Sequence, residues 1–241
     1  MKETIVLVPG VIAQSQGLRW EYFKNIPAYL ESNYDVDVHV VDLPPWGTIE
    51  KRAPIIQDYL QQNFPGQQVH VIGHSKGGIE IRALLEKGLI NNQVKSFTSI
   101  SCPYKGSLVA TFFYYLFFPL WIIPLFRDFI LTLKELRLGA YQQQWSKDHG
   151  AYHFPCYYVN AIIPTPLIFN TYPLFWFTNS LLNIFEGKND GFVSTTSSQF
   201  GELIQTYPSD HIGLIGHFGK RSFNHLNVYN ELMGRINIPN R

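Results

Sequence analysis

The chain is short of charge. Of its 241 residues, 15% are Asp, Glu, Lys or Arg, and 19 basic against 18 acidic side chains leave a net charge of +1. Scattered, balanced charge of this kind lacks the basic footprint that holds a nucleic-acid backbone, so no nucleic-acid partner is expected. Cysteine is scarce as well. Cys102 and Cys156 are too few for a disulfide framework; both adjoin predicted strands and are expected as free, buried thiols. Long apolar runs are missing too. A membrane span needs roughly 20 continuous apolar residues. The strongest run, residues 112–126, is shorter and carries the helix breakers Pro119 and Pro124. At the N-terminus, Met1-Lys2-Glu3 leads straight into a strand-like run, without the basic segment, apolar core and cleavage site of a secretory signal. A cytoplasmic chain is expected, with peripheral contact as its one route to a membrane. No internal repeat or low-complexity linker divides residues 1–241, a length ample for one α/β domain with its own core.

Aromatic residues, by contrast, make up 15% of the chain and are unevenly spread. Elsewhere, β-branched runs alternate with helical patterns. Residues 4–8 read as a strand ending at Pro9-Gly10. Trp20, Phe23, Ile26, Tyr29 and Leu30 share one face of a helix predicted over 19–32. A strand over 36–41 follows, then a helix capped by Thr48, running to Gln62 and stopped by Pro65-Gly66. A strand over 69–72 precedes a helix over 75–87. Strands over 94–101, 157–162 and 203–206 and a final helix over 222–233 complete the order. Such alternation with short loops implies a mostly parallel sheet flanked by helices. Two aromatic-rich stretches, residues 107–150 and 164–185, interrupt it. They follow strand ends on the side where loops of such a sheet gather, and are expected to form an apolar cap or lid, ordinary buried core being the alternative.

The chemistry centres on Gly73-His74-Ser75-Lys76-Gly77. A strand enters, a helix leaves, and Gly-x-Ser-x-Gly between them is the pattern of a nucleophile elbow. Gly73 and Gly77 flank the serine because a Cβ at either place would collide across so sharp a turn. A serine hydroxyl is a weak nucleophile. It needs a histidine to take its proton and a carboxylate to orient that histidine, in the chain order Ser, acid, His. Asp190, in the Gly-marked turn Asn189-Asp190-Gly191, is the chosen acid, ahead of Glu186 and Asp148. His211 follows the last predicted strand and is the chosen base; His225 is the alternative. His217 and His149 are expected at the surface or in the cap, and His74 to pack locally. The oxyanion hole is expected from the backbone N–H groups of Lys76, after the nucleophile, and Val11, in the loop after the first strand.

These residues resemble a known family. Gly73-His74-Ser75-Lys76-Gly77-Gly78 looks like the Gly-His-Ser-x-Gly-Gly elbow of bacterial triacylglycerol lipases of the α/β-hydrolase superfamily. Ser101-Cys102-Pro103-Tyr104-Lys105-Gly106-Ser107 resembles their Ala-Pro-His-x-Gly-Ser segment. Asn189-Asp190-Gly191-Phe192-Val193-Ser194 is similar to their Asn-Asp-Gly-x-Val-Ser segment, whose aspartate is the triad acid. The base is matched twice. His211-Ile212-Gly213-Leu214 reproduces a segment of the smaller lipases. Asn224-His225-Leu226-Asn227 resembles an Asn-His-Leu-Asp segment whose aspartate helps bind calcium, and Asn227 stands where that acid would be. No carboxylate cluster supplies hard oxygen ligands elsewhere, so no metal and no cofactor are expected. The resemblance implies an α/β-hydrolase fold and hydrolysis of carboxylic esters, with lipid or fatty-acyl substrates. Acyl transfer by the same residues and a non-catalytic binding protein of this fold are the alternatives.

Overall fold

Strand β1 (Glu3–Val8) is buried from Thr4 onward because it lies inside the sheet. Its period-two alternation feeds two cores. Val6 and Val8 pack with Ile56 and Leu60 on one face; Ile5 and Leu7 pack with Ile26, Leu30 and Leu232 on the other. A computed structural model of the chain describes residues 2–12, 21–140, 145, 148–164, 173–217 and 223–241. Its six strands are β1, β2 (Val36–Val40), β3 (Val69–His74), β4 (Val94–Ile100), β5 (Cys156–Ala161) and β6 (Glu202–Tyr207), in the order β2-β1-β3-β4-β5-β6. Every neighbouring pair is parallel. The near-continuous apolar runs of β1 and β3 suit strands covered on both faces.

The chain steps from β1 to edge strand β2, then back across β1 to β3. Connections on the two sides of β1 therefore leave opposite faces, opening a crevice at the carboxyl ends of β1 and β3. Pro9-Gly10-Val11 and Ser75 emerge there. Helices α2 (Ile49–Asn63) and α3 (Lys76–Glu86) belong to one core, α1 (Ile26–Asn33) and α7 (Leu226–Arg235) to the other. As expected, the Thr48 side chain accepts the Lys51 N–H at the start of α2.

The first helix begins later than its apolar spacing predicts. Asn25 lies at φ 60°, a left-handed conformation that interrupts a helix, and α1 starts beyond it with a proline in its first turn. Tyr22 and Phe23 are buried from the preceding turn instead. Arg19 and Trp20, at the start of the first predicted helix, and Ser222, at the start of the last, lie outside the described residues.

The first aromatic stretch is broken at its prolines. Helix α4 (Leu108–Phe117), capped by Ser107, gives way to two 3-10 turns at Phe118–Ile122 and Pro124–Phe126, then to α5 (Arg127–Glu135). The second stretch contributes α6 (Pro173–Phe185). Inner positions such as Tyr114, Ile130 and Leu133 join the core. Outer positions stay bare: Ile122 is 81% exposed, Leu125 84% and Ile184 76%. Among the described residues no helix is long and apolar enough to cross a membrane.

Candidate active site

Ser75 sits between β3 and α3 at φ 54° and ψ −127°, a backbone conformation that L-residues rarely adopt. Its N–H donates to the Ile100 carbonyl at 2.9 Å, tying the turn to β4. A Cβ on Gly73 would lie 2.6 Å from the Gly78 backbone, and one on Gly77 2.4 Å from the Val8 carbonyl oxygen, so only glycine fits at either place. Lys76 opens α3, where the first N–H groups of a helix have no intrahelical acceptor. Val11 lines the same cavity as Ser75.

Asp190 and His211 are joined twice. The His211 Nδ1–H group faces Asp190 Oδ2 at 2.7 Å, and the His211 backbone N–H donates to the Asp190 carbonyl at 2.9 Å. This bond favours the proton on Nδ1 and leaves Nε2 as the free lone pair of the neutral ring. The other carboxylate oxygen, Oδ1, accepts from the N–H groups of Phe192 (2.9 Å) and Val193 (2.7 Å). Asn189 stiffens the turn from behind. Its amide donates to the Gly187 carbonyl, while its Oδ1 accepts from the Asn179 side chain of α6 and from the Gly191 N–H.

Ser75 and His211 line one cavity of about 380 Å³. Its walls are almost wholly apolar. Val109, Ala110 and Phe113 come from α4, Leu133 from α5 and Phe175 from α6, so both aromatic stretches contribute to it. The other expected residues lie elsewhere. The His225 ring donates to the Lys24 carbonyl at 3.0 Å, and His225 is not part of this lining. The His217 ring faces the Glu21 and Tyr22 carbonyls. Glu186 accepts from the Leu108 N–H at the start of α4 and from the Ser194 hydroxyl. Asp148 is exposed, and the His149 side chain lies outside what is described. Cys102 and Cys156 are buried and free. Among the described residues no group of three or more His, Cys, Asp and Glu side chains is arranged to hold a metal ion.

Three features escaped sequence reasoning. His74 bridges rather than packing locally. Its Nδ1 accepts from the Tyr22 hydroxyl at 2.8 Å, its Nε2–H faces the His211 carbonyl at 3.1 Å, and Tyr22 in turn accepts the Gly10 N–H at 2.9 Å. Complete burial holds the His74 pKa well below the usual imidazole range, so the ring is neutral. Asp210, beside His211, is also buried. Its Oδ1 accepts the Gly213 N–H at 2.7 Å, and Oδ2 has no hydrogen-bond partner among the described residues. Burial raises its pKa to about 6, with the nearby Asp190 charge adding to the rise. The third feature is a chain of buried charges under the elbow. Lys76 Nζ lies 2.9 Å from Glu80 and 3.0 Å from Glu135 of α5, and Arg52 lies 2.8 Å from Glu80. Only the backbone of Lys76 carries a signal in the sequence; the i,i+4 spacing of Lys76 and Glu80 is the one trace of this cluster.

The parallel sheet with a serine on the turn after β3 is the framework of the α/β-hydrolases, and comparison with solved structures shows that fold for this chain. A carboxyl esterase from a metagenome superposes with a TM-score of 0.80 at 16% identity, covering 98% of this chain and 75% of that one. The mature lipase BlEst2 of Bacillus licheniformis superposes with a TM-score of 0.70 at 19% identity, covering 99% and 93%. In sequence, the chain is 25% identical over 214 residues to triacylglycerol lipase 2 of Saccharomyces cerevisiae, which covers 82% of this chain. It spans 63% of that relative's length, less than two thirds. No protein-family model matches the chain.

Proposed function

We propose that the chain is a carboxylic ester hydrolase with Ser75 as nucleophile, His211 as general base and Asp190 as the orienting acid. The observation that carries this reading is the 2.7 Å bond from Asp190 to the His211 ring, on a histidine that shares an apolar cavity with Ser75. Ser75 Oγ attacks the ester carbonyl carbon while His211 Nε2 takes its proton. Negative charge gathers on the carbonyl oxygen, stabilised by the N–H groups of Val11 and Lys76. The C–O bond to the alcohol then breaks, the alcohol leaving with the proton from His211. Water attacks the acyl-Ser75 ester by the same route in reverse, releasing the acid and restoring the serine. An acyl chain without charge suits the cavity walls, and the bare apolar side chains on the outer faces of the 3-10 turns and α6 suit a lipid surface. In this reading the two stretches are a cap over the site. The names of the relatives, esterase and lipases, point the same way.

A fluorophosphonate probe tests the nucleophile. Wild type is expected to label and Ser75→Ala to fail; equal labelling of both overturns the assignment. A series of p-nitrophenyl esters of increasing acyl length reads the substrate class, with turnover expected to favour apolar chains over acetate. A wild type that neither labels nor hydrolyses any ester refutes the hydrolase reading.

A further inference from the structure

We infer that Glu135, on cap helix α5, and Arg52, on α2, are positioning residues for the oxyanion hole, acting through a buried charge chain Arg52–Glu80–Lys76–Glu135. This rests on the hydrolase reading above and names how its oxyanion donors are held. The side chains of Arg52, Lys76 and Glu80 are fully buried, and that of Glu135 is 22% exposed. Two cations and two anions cancel, which lets four charges share an interior that would reject any one of them alone.

Both ends of the chain reach a peptide unit that carries an oxyanion donor. At one end, Arg52 Nη2 donates to the carbonyls of Pro9 and Gly10, each at 2.9 Å, and Nη1 donates to the Pro44 carbonyl at 2.8 Å. The Gly10 carbonyl and the Val11 N–H belong to one planar peptide. A guanidinium fixed on that carbonyl therefore sets the plane of the Val11 N–H, and by polarising the amide makes it a better donor. Tyr22 holds the N–H of Gly10 from the other side. At the other end, Lys76 contributes the second donor through its backbone while its ammonium is gripped by Glu80 and Glu135.

Glu135 is the link with the cap. Its carboxylate also accepts the Ile49 N–H at the start of α2, and one turn earlier Thr132 Oγ1 accepts the Gly47 N–H at 2.9 Å. Helix α5 is thus tied to the catalytic framework on the side away from solvent, while the 3-10 turns before it carry the exposed apolar residues. Displacing α5 would pull on the residue that follows the nucleophile.

Glu135→Gln tests this, because it keeps an acceptor for Ile49 and removes the charge facing Lys76. Loss of a whole oxyanion donor slows turnover by about 10²–10³; a misdirected one is expected to lower kcat about tenfold, with KM little changed. Affinity for a trifluoromethyl ketone, whose adduct with Ser75 places an oxyanion in the hole, should fall by the same factor as kcat/KM. Arg52→Lys, which loses the planar fork but keeps the charge, should show the same pattern. If kcat and ketone affinity stay at wild-type values while Tm falls, or if only KM rises, the residues are structural or line the acyl site and the inference is wrong. Should Glu135→Gln fold poorly, the paired Lys76→Met, Glu135→Leu variant removes both charges together and must still lose kcat; full activity there also overturns the inference. A wild type without esterase activity sinks this proposal together with the hydrolase reading, whereas an active wild type with unaffected variants sinks this proposal alone.

Discussion

Asp210 offers a test of the site's electrostatics that does not depend on turnover. Its carboxyl titrates near 6 in the folded chain, against an ordinary 3.8, chiefly because the group is buried. The folded state thus holds its proton more tightly than the unfolded state. Between pH 3.8 and about 6 it binds the extra proton, so stability falls as pH rises through that window and stays lowered above it. At 1.36 kcal/mol per pH unit, the penalty reaches about 3 kcal/mol at neutral pH. Asp210→Asn keeps an oxygen for the Gly213 N–H and removes the charge. The new NH₂ replaces Oδ2, and if it finds no acceptor it adds a cost of about 1–3 kcal/mol that does not vary with pH. The measurement is therefore the difference in unfolding free energy between variant and wild type, from urea titrations at several pH values between 4 and 8. That difference should move in favour of the variant by about 2.5 kcal/mol across the range, with most of the change between pH 4 and 6. A flat difference would show that Asp210 titrates as an ordinary carboxyl, and the claim that this site carries a desolvated charge beside Asp190 would fall.

Three further substitutions probe the proposed base and its bracing. Alanine at His211 should lower kcat/KM on a p-nitrophenyl ester by about 10³ or more, since such residues act as a unit, while alanine at His225 should leave it within a few-fold of wild type; the opposite ranking would transfer the role. Tyr22→Phe deprives both the Gly10 N–H and His74 Nδ1 of a partner inside the fold. At about 1–3 kcal/mol for each orphaned group it should lower stability by about 2–6 kcal/mol, seen as a Tm at least several degrees lower in thermal unfolding; an unchanged Tm would mean that the bridge is replaced at no cost.

The sheet is legible in the sequence chiefly through β1 and β3, apolar runs rich in β-branched residues, with β1 ended by Pro9-Gly10. Of the candidate site, Ser75 follows β3 and His211 follows β6, and that side of a parallel sheet is where its loops converge; Asp190 comes after α6 instead, and its signal is the Gly-marked turn Asn189-Asp190-Gly191. What escaped reading depends on partners far away in the chain. His74 meets Tyr22 across 52 residues and His211 across 137, and nothing local distinguishes a bridging histidine from a packed one. Arg52 reads as one more polar position on an amphipathic helix, yet it is fully buried because the loop after β1 presents carbonyls to it. The start of α1 departs from its apolar spacing for the reverse reason. The apolar spacing from Trp20 onward is genuine, but the left-handed Asn25 delays the start of the helix to Ile26, so Tyr22 and Phe23 reach the core from a turn.

The backbone of Ser75 has a consequence for how this protein can change. A residue with a side chain held at φ 54° and ψ −127° carries strain of about 1–3 kcal/mol that the surrounding packing must sustain. Glycine adopts such angles freely and loses up to about 1 kcal/mol through its more flexible unfolded chain. Ser75→Gly should therefore unfold at a slightly higher temperature than wild type while lacking the proposed nucleophile. A search for hardier variants judged on folding alone would drift toward glycine at position 75, and only a screen that demands turnover would hold the serine in place.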